Sequence, residues 1–125
     1  MKKGVLIFWA VIVLVIVGLF VATTFSAQRP GKLDAFAQCL KDKGAVFYGA
    51  FWCPHCQATK RLFGTSARLL PYVECSTPDG KGQTQVCKDK GIQNYPTWTF
   101  PNSATLSGER TLQELSDATS CPLPQ

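Results

Sequence analysis

Hydrophobic and polar positions divide this chain into two regimes. Residues 4 to 28 carry no charge, and from Val5 to Ala22 the run is almost wholly apolar. At the rise of an α-helix such a stretch is long enough to cross a hydrocarbon core of ~30 Å. Beyond residue 32 the pattern becomes periodic. Leu33, Phe36, Ala37 and Leu40 recur at i, i+3, i+4 and i+7, which predicts an amphipathic helix with Asp34 early, Lys41 and Lys43 late, and Gly44 as its stop. Ala45-Val46-Phe47-Tyr48-Gly49 then reads as a strand.

A helix opening at Pro54 is expected to kink or end at Gly64, and a second strand lies within Leu69 to Cys75. Pro78, Asp79, Gly80 and Gly82 make residues 76 to 82 a loop by composition, and a short helix is expected from about Gln83 to Lys90, ending at Gly91. Trp98-Thr99-Phe100 and Ala104-Thr105-Leu106 flank Pro101-Asn102-Ser103 as a β-hairpin. Thr111-Leu112-Gln113-Glu114 has the capping-box pattern and opens a last helix, whose Leu112, Leu115 and Thr119 share a face. The predicted order of the second regime is αβαβαββα. Trp98 reads as sheet core, and no internal repeat or low-complexity segment is present.

The apolar run has two readings. Lys2 and Lys3 form a basic start and Ser26-Ala27 offers small residues, as in a cleaved signal peptide. Against that, the run exceeds the roughly 7–15 residues of a signal-peptide core, and Phe25 sits badly at −3 for cleavage after Ala27. The reading adopted is an uncleaved anchor, dividing the chain into a short basic start (1–3), a transmembrane segment (4–25), a linker (26–32) and a globular domain (33–125). Gln28-Arg29-Pro30-Gly31 within the linker is short enough to keep the domain near the bilayer. Arg29 and Lys32 flank one end and Lys2 and Lys3 the other, so charge alone gives only a weak vote for an inside N-terminus. Six cysteines in 125 residues suit an oxidising compartment, which puts residues 30 to 125 on the periplasmic, thylakoid-lumenal or extracellular side of a single-pass protein.

Net charge is +5, yet residues 1 to 32 hold four of the thirteen Lys and Arg and no acid, leaving nine basic against eight acidic side chains in residues 33 to 125. No basic stripe interleaved with aromatics runs through the globular part. Nucleic acid is therefore excluded as a partner.

The candidate chemistry lies in Phe51-Trp52-Cys53-Pro54-His55-Cys56. Two thiols spaced Cys-x-x-Cys after an apolar strand and at a helix start read as a dithiol redox site. Pro54 fits the first helical turn, where a missing N–H costs nothing. Cys53 falls at the N-cap, where unpaired backbone N–H groups and the positive end of the helix dipole favour thiolate, and His55 adds a donor or cation beside it. An exposed Cys53 is thus the expected nucleophile and Cys56 the resolving thiol. A permanent structural disulfide is the blander alternative. A zinc site is weaker, since His55 lies inside the motif and no second ligand pair of usual spacing exists; no metal and no cofactor are expected.

With Cys53 and Cys56 assigned to each other, six thiols leave three pairings for the rest. Cys75 ends a strand and Cys87 lies in the next helix with only the Gly-rich loop between, so these two are paired. Cys39 and Cys121 remain. At 100° per residue Cys39 sits about 240° from Leu33, off the apolar stripe, where a chain end wrapping round the edge can meet it. Cys39 with Cys87 and Cys75 with Cys121 is the rival arrangement.

Several of these segments resemble a known family. Phe51-Trp52-Cys53 resembles the approach to the active site in thioredoxin-fold proteins, and Gly91-Ile92-Gln93-Asn94-Tyr95-Pro96-Thr97 resembles their cis-proline segment. Phe36 to Leu40, Tyr48 to Cys56, Pro71-Tyr72-Val73-Glu74-Cys75 and Tyr95-Pro96-Thr97-Trp98 are most similar to the thioredoxin-like domain found beside or fused to bacterial and plant homologues of vitamin K epoxide reductase. The resemblance covers about residues 33 to 121. It implies an α/β thioredoxin-like fold lacking the first strand, with a four-stranded mixed sheet and helices on both faces. It implies a cis Pro96 that brings the Tyr95 backbone beside the active site, where substrate chains pair by strand addition, with Trp52 packing alongside. Pro54-His55 is also the dipeptide of oxidising DsbA-type enzymes. One departure stands out: thioredoxins carry a buried acid six residues before the first active-site cysteine, and Phe47 is there instead. The vitamin K epoxide reductase-linked domains tend to be apolar at that point too. Glu74 is a candidate substitute, and the proton acceptor for Cys56 is left unassigned.

The function expected from motif and resemblance together is a membrane-anchored thiol–disulfide oxidoreductase. Its substrates would be cysteine-containing exported proteins, and its electrons would pass to a membrane quinone reductase of the vitamin K epoxide reductase type. A reductase or isomerase fed by a membrane electron donor is the alternative among enzymes, and a redox-inert membrane-tethered binding module the alternative outside them.

Overall fold

The computed structural model describes residues 2–26 and 30–125. Met1 of the expected basic start, residues 27–29 of the expected linker and the Ala27 cleavage position lie outside the described residues. The chain divides into two compact units, Met1–Pro30 and Gly31–Gln125. Helix α1, Lys2–Ser26, occupies the first. It is the one helix among the described residues long and apolar enough to cross a membrane, by length and composition. The Thr23 and Thr24 hydroxyls donate to the carbonyls of Phe20 and Val21, so each is satisfied within the helix.

In the second unit, α2 spans Asp34–Asp42 and buries Phe36, Ala37 and Leu40, the stripe its periodicity predicts. Gly44 leaves the helix at a φ of 75°, and the Ala45 N–H returns to the Leu40 carbonyl. Strand β1 follows at Val46–Gly49 and α3 at Pro54–Phe63. Beyond Phe63 the chain tightens into a 3-10 turn, Gly64–Leu69, which the periodicity does not announce. Long-range contacts hold it: the fully buried Ser66 accepts from the Leu33 N–H at 3.0 Å, and Arg68 pairs with Asp34.

Strand β2 is Tyr72–Glu74, α4 is Gln85–Asp89, β3 is Thr97–Thr99, β4 is Thr105–Ser107 and α5 is Leu112–Thr119. Helix α4 starts two residues later than expected because Gln83 is drawn into an isolated antiparallel bridge with Ser76. The start of α5 carries the full capping box. Thr111 Oγ1 accepts from the Glu114 N–H at 3.1 Å, and Glu114 Oε2 accepts from the Thr111 N–H at 2.8 Å.

The strands form one mixed sheet in the order β2-β1-β3-β4, with β1 and β2 parallel and the other two pairs antiparallel. Successive residues of β1 feed opposite faces, as the pleat requires. Phe47 stacks on Trp98 in the larger core cluster, which takes Phe36, Leu40, Phe63 and Leu115 from α2, α3 and α5. Tyr48 joins Cys75, Cys87 and Ile92 in a smaller cluster fed by α4. This is a thioredoxin-like architecture with a four-stranded sheet.

Two disulfides close the unit. Cys75–Cys87 joins the end of β2 to α4, and Cys39–Cys121 joins α2 to the segment after α5. Their loops differ greatly, with sequence separations of 12 and 82 residues. Loop-closure entropy gives about 3 kcal/mol for the short ring and about 4.5 kcal/mol for the long one. Denaturant unfolding of the Cys75→Ala/Cys87→Ala and Cys39→Ala/Cys121→Ala variants should show the second to be the less stable. The opposite order would mean that chain entropy is not what these bridges supply.

Candidate active site

The site is assembled where β1 ends. Ala50 is fully buried, and its carbonyl accepts the Cys53 N–H at 3.0 Å, turning the chain from strand to helix. Cys53 is the N-cap of α3 with extended φ and ψ of −75° and 120°; Pro54 occupies the first helical turn; Gln57 donates to the Cys53 carbonyl. Cys56, one turn in, is 1% exposed. Both are free thiols, so the structure is that of the dithiol and not of the Cys53–Cys56 disulfide.

Cys53 is not exposed as the motif suggests. It is 5% exposed, because the chain before β3 folds over it and the Tyr95 carbonyl oxygen lies 3.7 Å from its sulfur. The Tyr95–Pro96 bond is cis. Tyr95 is fixed in turn: its hydroxyl accepts from Gln83 Nε2 at 2.7 Å, and its ring meets Trp52 edge to face at 6.1 Å. Trp52 donates through Nε1 to Ser76 Oγ at 2.8 Å while staying 49% exposed, as does Phe51. Two half-exposed aromatic rings therefore flank a nearly covered sulfur.

His55 has an unforeseen partner. Its Nδ1 lies 2.6 Å from Glu109 Oε1, in the loop before α5, and both side chains are more than half exposed. The contact crosses 54 residues of sequence and ties the start of α3 to that loop.

Phe47, where thioredoxins carry an acid, is wholly buried and packs against Trp98 and Tyr72. Glu74 stands nearby on β2, with Gly49 as its register partner. Its carboxylate accepts three hydrogen bonds, from Phe51 N–H at 3.2 Å, Ser76 N–H at 2.8 Å and Tyr72 O–H at 2.6 Å. It thereby holds the loop that carries Trp52 and Cys53 against the end of β2. Burial, then the bond to Glu74, pushes the Tyr72 phenol well above its ordinary pKa, so it stays protonated.

The two thiols are unequal. Burial pushes Cys56 up from 9.0 to about 12, and the adjacent Cys53 reinforces the shift, while the Ala50 backbone and the Lys60 charge oppose it. Room for the Cys56 sulfur comes from Gly49. A Cβ there would lie 2.8 Å from Cys56 Sγ and 2.9 Å from Tyr72 Cε2.

Sheet, helix start and facing cis bond together define a thioredoxin-like protein with a buried dithiol at the first turn of its post-strand helix. No family model matches the chain. The thiol-disulfide oxidoreductase LTO1 of Arabidopsis thaliana is 46% identical to it over 108 residues, 82% of this chain. The match spans 28% of that relative's length.

Two outcomes are expected. Gly49→Ala should destabilise the protein by about 1–3 kcal/mol, the usual cost of overpacking a filled core; calorimetry showing an unchanged Tm would mean that Cys56 and Tyr72 can both withdraw. The second outcome concerns pH. Above about 9 an unfolded Cys56 sheds its proton while the folded thiol holds its own towards 12. The folded dithiol binds more protons in that window, so its stability falls as pH rises through it. Urea midpoints of the reduced protein should drop there relative to Cys56→Ala, whereas parallel curves would show that Cys56 titrates normally.

Proposed function

We propose that this chain is a membrane-anchored thiol–disulfide oxidoreductase, with residues 4–25 as anchor and 33–125 as catalytic domain on the periplasmic, lumenal or extracellular side. One observation carries the reading. The two sulfurs of a Cys-x-x-Cys share a helix start, one at the N-cap beneath the Tyr95 carbonyl and the other held protonated by burial. That asymmetry supports giving attack and release to different atoms. The name of the plant relative supports the same chemistry.

In the oxidised form a substrate thiolate attacks Cys53 Sγ, breaking the Cys53–Cys56 bond and expelling Cys56 as thiolate, which takes up a proton. A second substrate thiolate then attacks its partner sulfur and releases Cys53. The substrate loses two electrons and two protons, and the dithiol gains them. Trp52 and Phe51 offer apolar contact to the approaching chain, and Tyr95 and Pro96 offer backbone for it to lie along. His55 and Pro54 are read as favouring the Cys53 thiolate and hence the oxidising direction. The resemblance to domains linked with vitamin K epoxide reductase supports a quinone reductase of that type as acceptor of the two electrons. Exported cysteine-containing proteins would be the substrates.

The test is trapping in cells. Cys56→Ser should accumulate mixed disulfides through Cys53, visible as high-mass species that collapse on reduction, and Cys53→Ser should not. Alkylation after acid quench should find wild-type Cys53 and Cys56 mainly as disulfide. A resting dithiol would instead support the reductase reading, and no mixed disulfide in either variant would sink both.

A further inference from the structure

Whichever way electrons flow, the negative charge of each exchange falls on Cys56 Sγ when the bond between Cys53 and Cys56 breaks or forms. This sulfur is almost wholly buried, and Phe47 puts no carboxylate beneath it. The titratable groups that act on Cys56 are Cys53 at the N-cap and Lys60 on its own helix, with Tyr72 on β2 crowding it at Gly49 and Glu74 bound to the Tyr72 hydroxyl. Of these only Lys60 carries positive charge. It lies one helical turn beyond Cys56, and its Nζ sits 3.4 Å from the centre of the Tyr72 ring. That ring and the Cys56 sulfur crowd the same spot over Gly49. The Tyr72 hydroxyl in turn donates to Glu74, whose carboxylate is itself fixed by two backbone N–H groups.

We propose that Lys60, pinned by the Tyr72 ring, is the counter-ion of the Cys56 thiolate, and that Tyr72 and Glu74 are positioning residues that hold it there. The inference rests on the oxidoreductase reading and adds the group that stabilises its departing or attacking sulfur. A phenol kept neutral and hydrogen-bonded to a carboxylate presents an electron-rich face, which draws an ammonium more strongly than an unpolarised ring. Glu74 is unsuited to remove the Cys56 proton, since three donors already occupy its carboxylate. The proton goes to solvent, and the part-buried Lys60 ammonium, whose charge already favours the Cys56 thiolate, stabilises the charge left behind.

The full-length reduced chain in detergent, mixed with an aromatic disulfide whose released thiolate is coloured, reports this step directly. Cys53 attacks first, forming a mixed disulfide and releasing one aromatic thiolate. Cys56 then loses its proton and attacks Cys53 Sγ, so that the Cys53–Cys56 bond forms and a second aromatic thiolate leaves. Lys60→Met should slow the second release by about tenfold at neutral pH, the equivalent of one pKa unit, and shift its pH profile upwards. The first release should be nearly unchanged, and Lys60→Arg should restore the second. Lys60→Gln, which leaves a polar chain of similar length, is expected to behave as Lys60→Met and serves if that variant does not fold. Unchanged kinetics, or equal slowing of both phases, would overturn the proposal. Because this chemistry needs no physiological substrate, its outcome stands apart from the trapping experiment in cells: failure there with the Lys60 effect present would reject the cellular role alone.

Discussion

Antiparallel pairing of β1 with β3 is the constraint on which the rest of the site depends. Phe47 opposes Trp98 and Tyr48 opposes Thr97, and the stacked pair of buried rings fixes that register. A slip of one residue would send Phe47 to the face of the small cluster and Tyr48 into the large one. With the register fixed, the end of β1 lies beside the beginning of β3. Cys53, four residues beyond Gly49, therefore meets the carbonyl of Tyr95, two residues before Thr97. Sheet packing by large aromatics at the centre thus determines which backbone faces the sulfur at the edge.

The parallel pairing of β1 with β2 does complementary work. It places Glu74 level with Gly49 and Tyr72 level with Phe47, so both side chains reach the underside of the active-site loop from a neighbouring strand. A carboxylate at this place acts mainly as a scaffold, satisfying one donor from the β1-to-α3 turn, Phe51 N–H, and one from the loop after β2, Ser76 N–H. An aromatic residue in the acid position of thioredoxins and an acid one strand away are two parts of one arrangement. The core stays apolar beneath Cys56, and the charges are kept to its rim.

Local features of the fold were legible because their physics is local. The stripe of Phe36, Ala37 and Leu40, the capping box of Thr111 and Glu114 and the helix start at Pro54 each depend on spacings within a few residues. Several contacts between distant segments were not. The Gly64–Leu69 turn owes its shape to Leu33 and Asp34, and Gln83 leaves its expected helix to bridge Ser76. In the candidate site, the pairing of His55 with Glu109 and the three donors on Glu74 join segments far apart in sequence. The near-complete cover of Cys53 escapes a reading of the motif alone, since the residue that covers it, Tyr95, lies 42 positions further along the chain, before the neighbouring strand β3. Lys60 carries a weak signal, a basic residue four places after Cys56, but only the position of Tyr72 gives that spacing a meaning.

The Cys39–Cys121 bond has a consequence for biogenesis. Its ring encloses β1, the dithiol helix, the sheet and α5, so Cys121 must be synthesised before the ring can close. Until then, Cys53 and Cys56 share the nascent chain with four other thiols, any of which can be captured in a wrong partnership. Once closed, the ring cannot fray from either side, and a single cut by a protease anywhere between residues 40 and 120 leaves two pieces still joined. Resistance to a single backbone cut is thus built into the covalent topology of the domain.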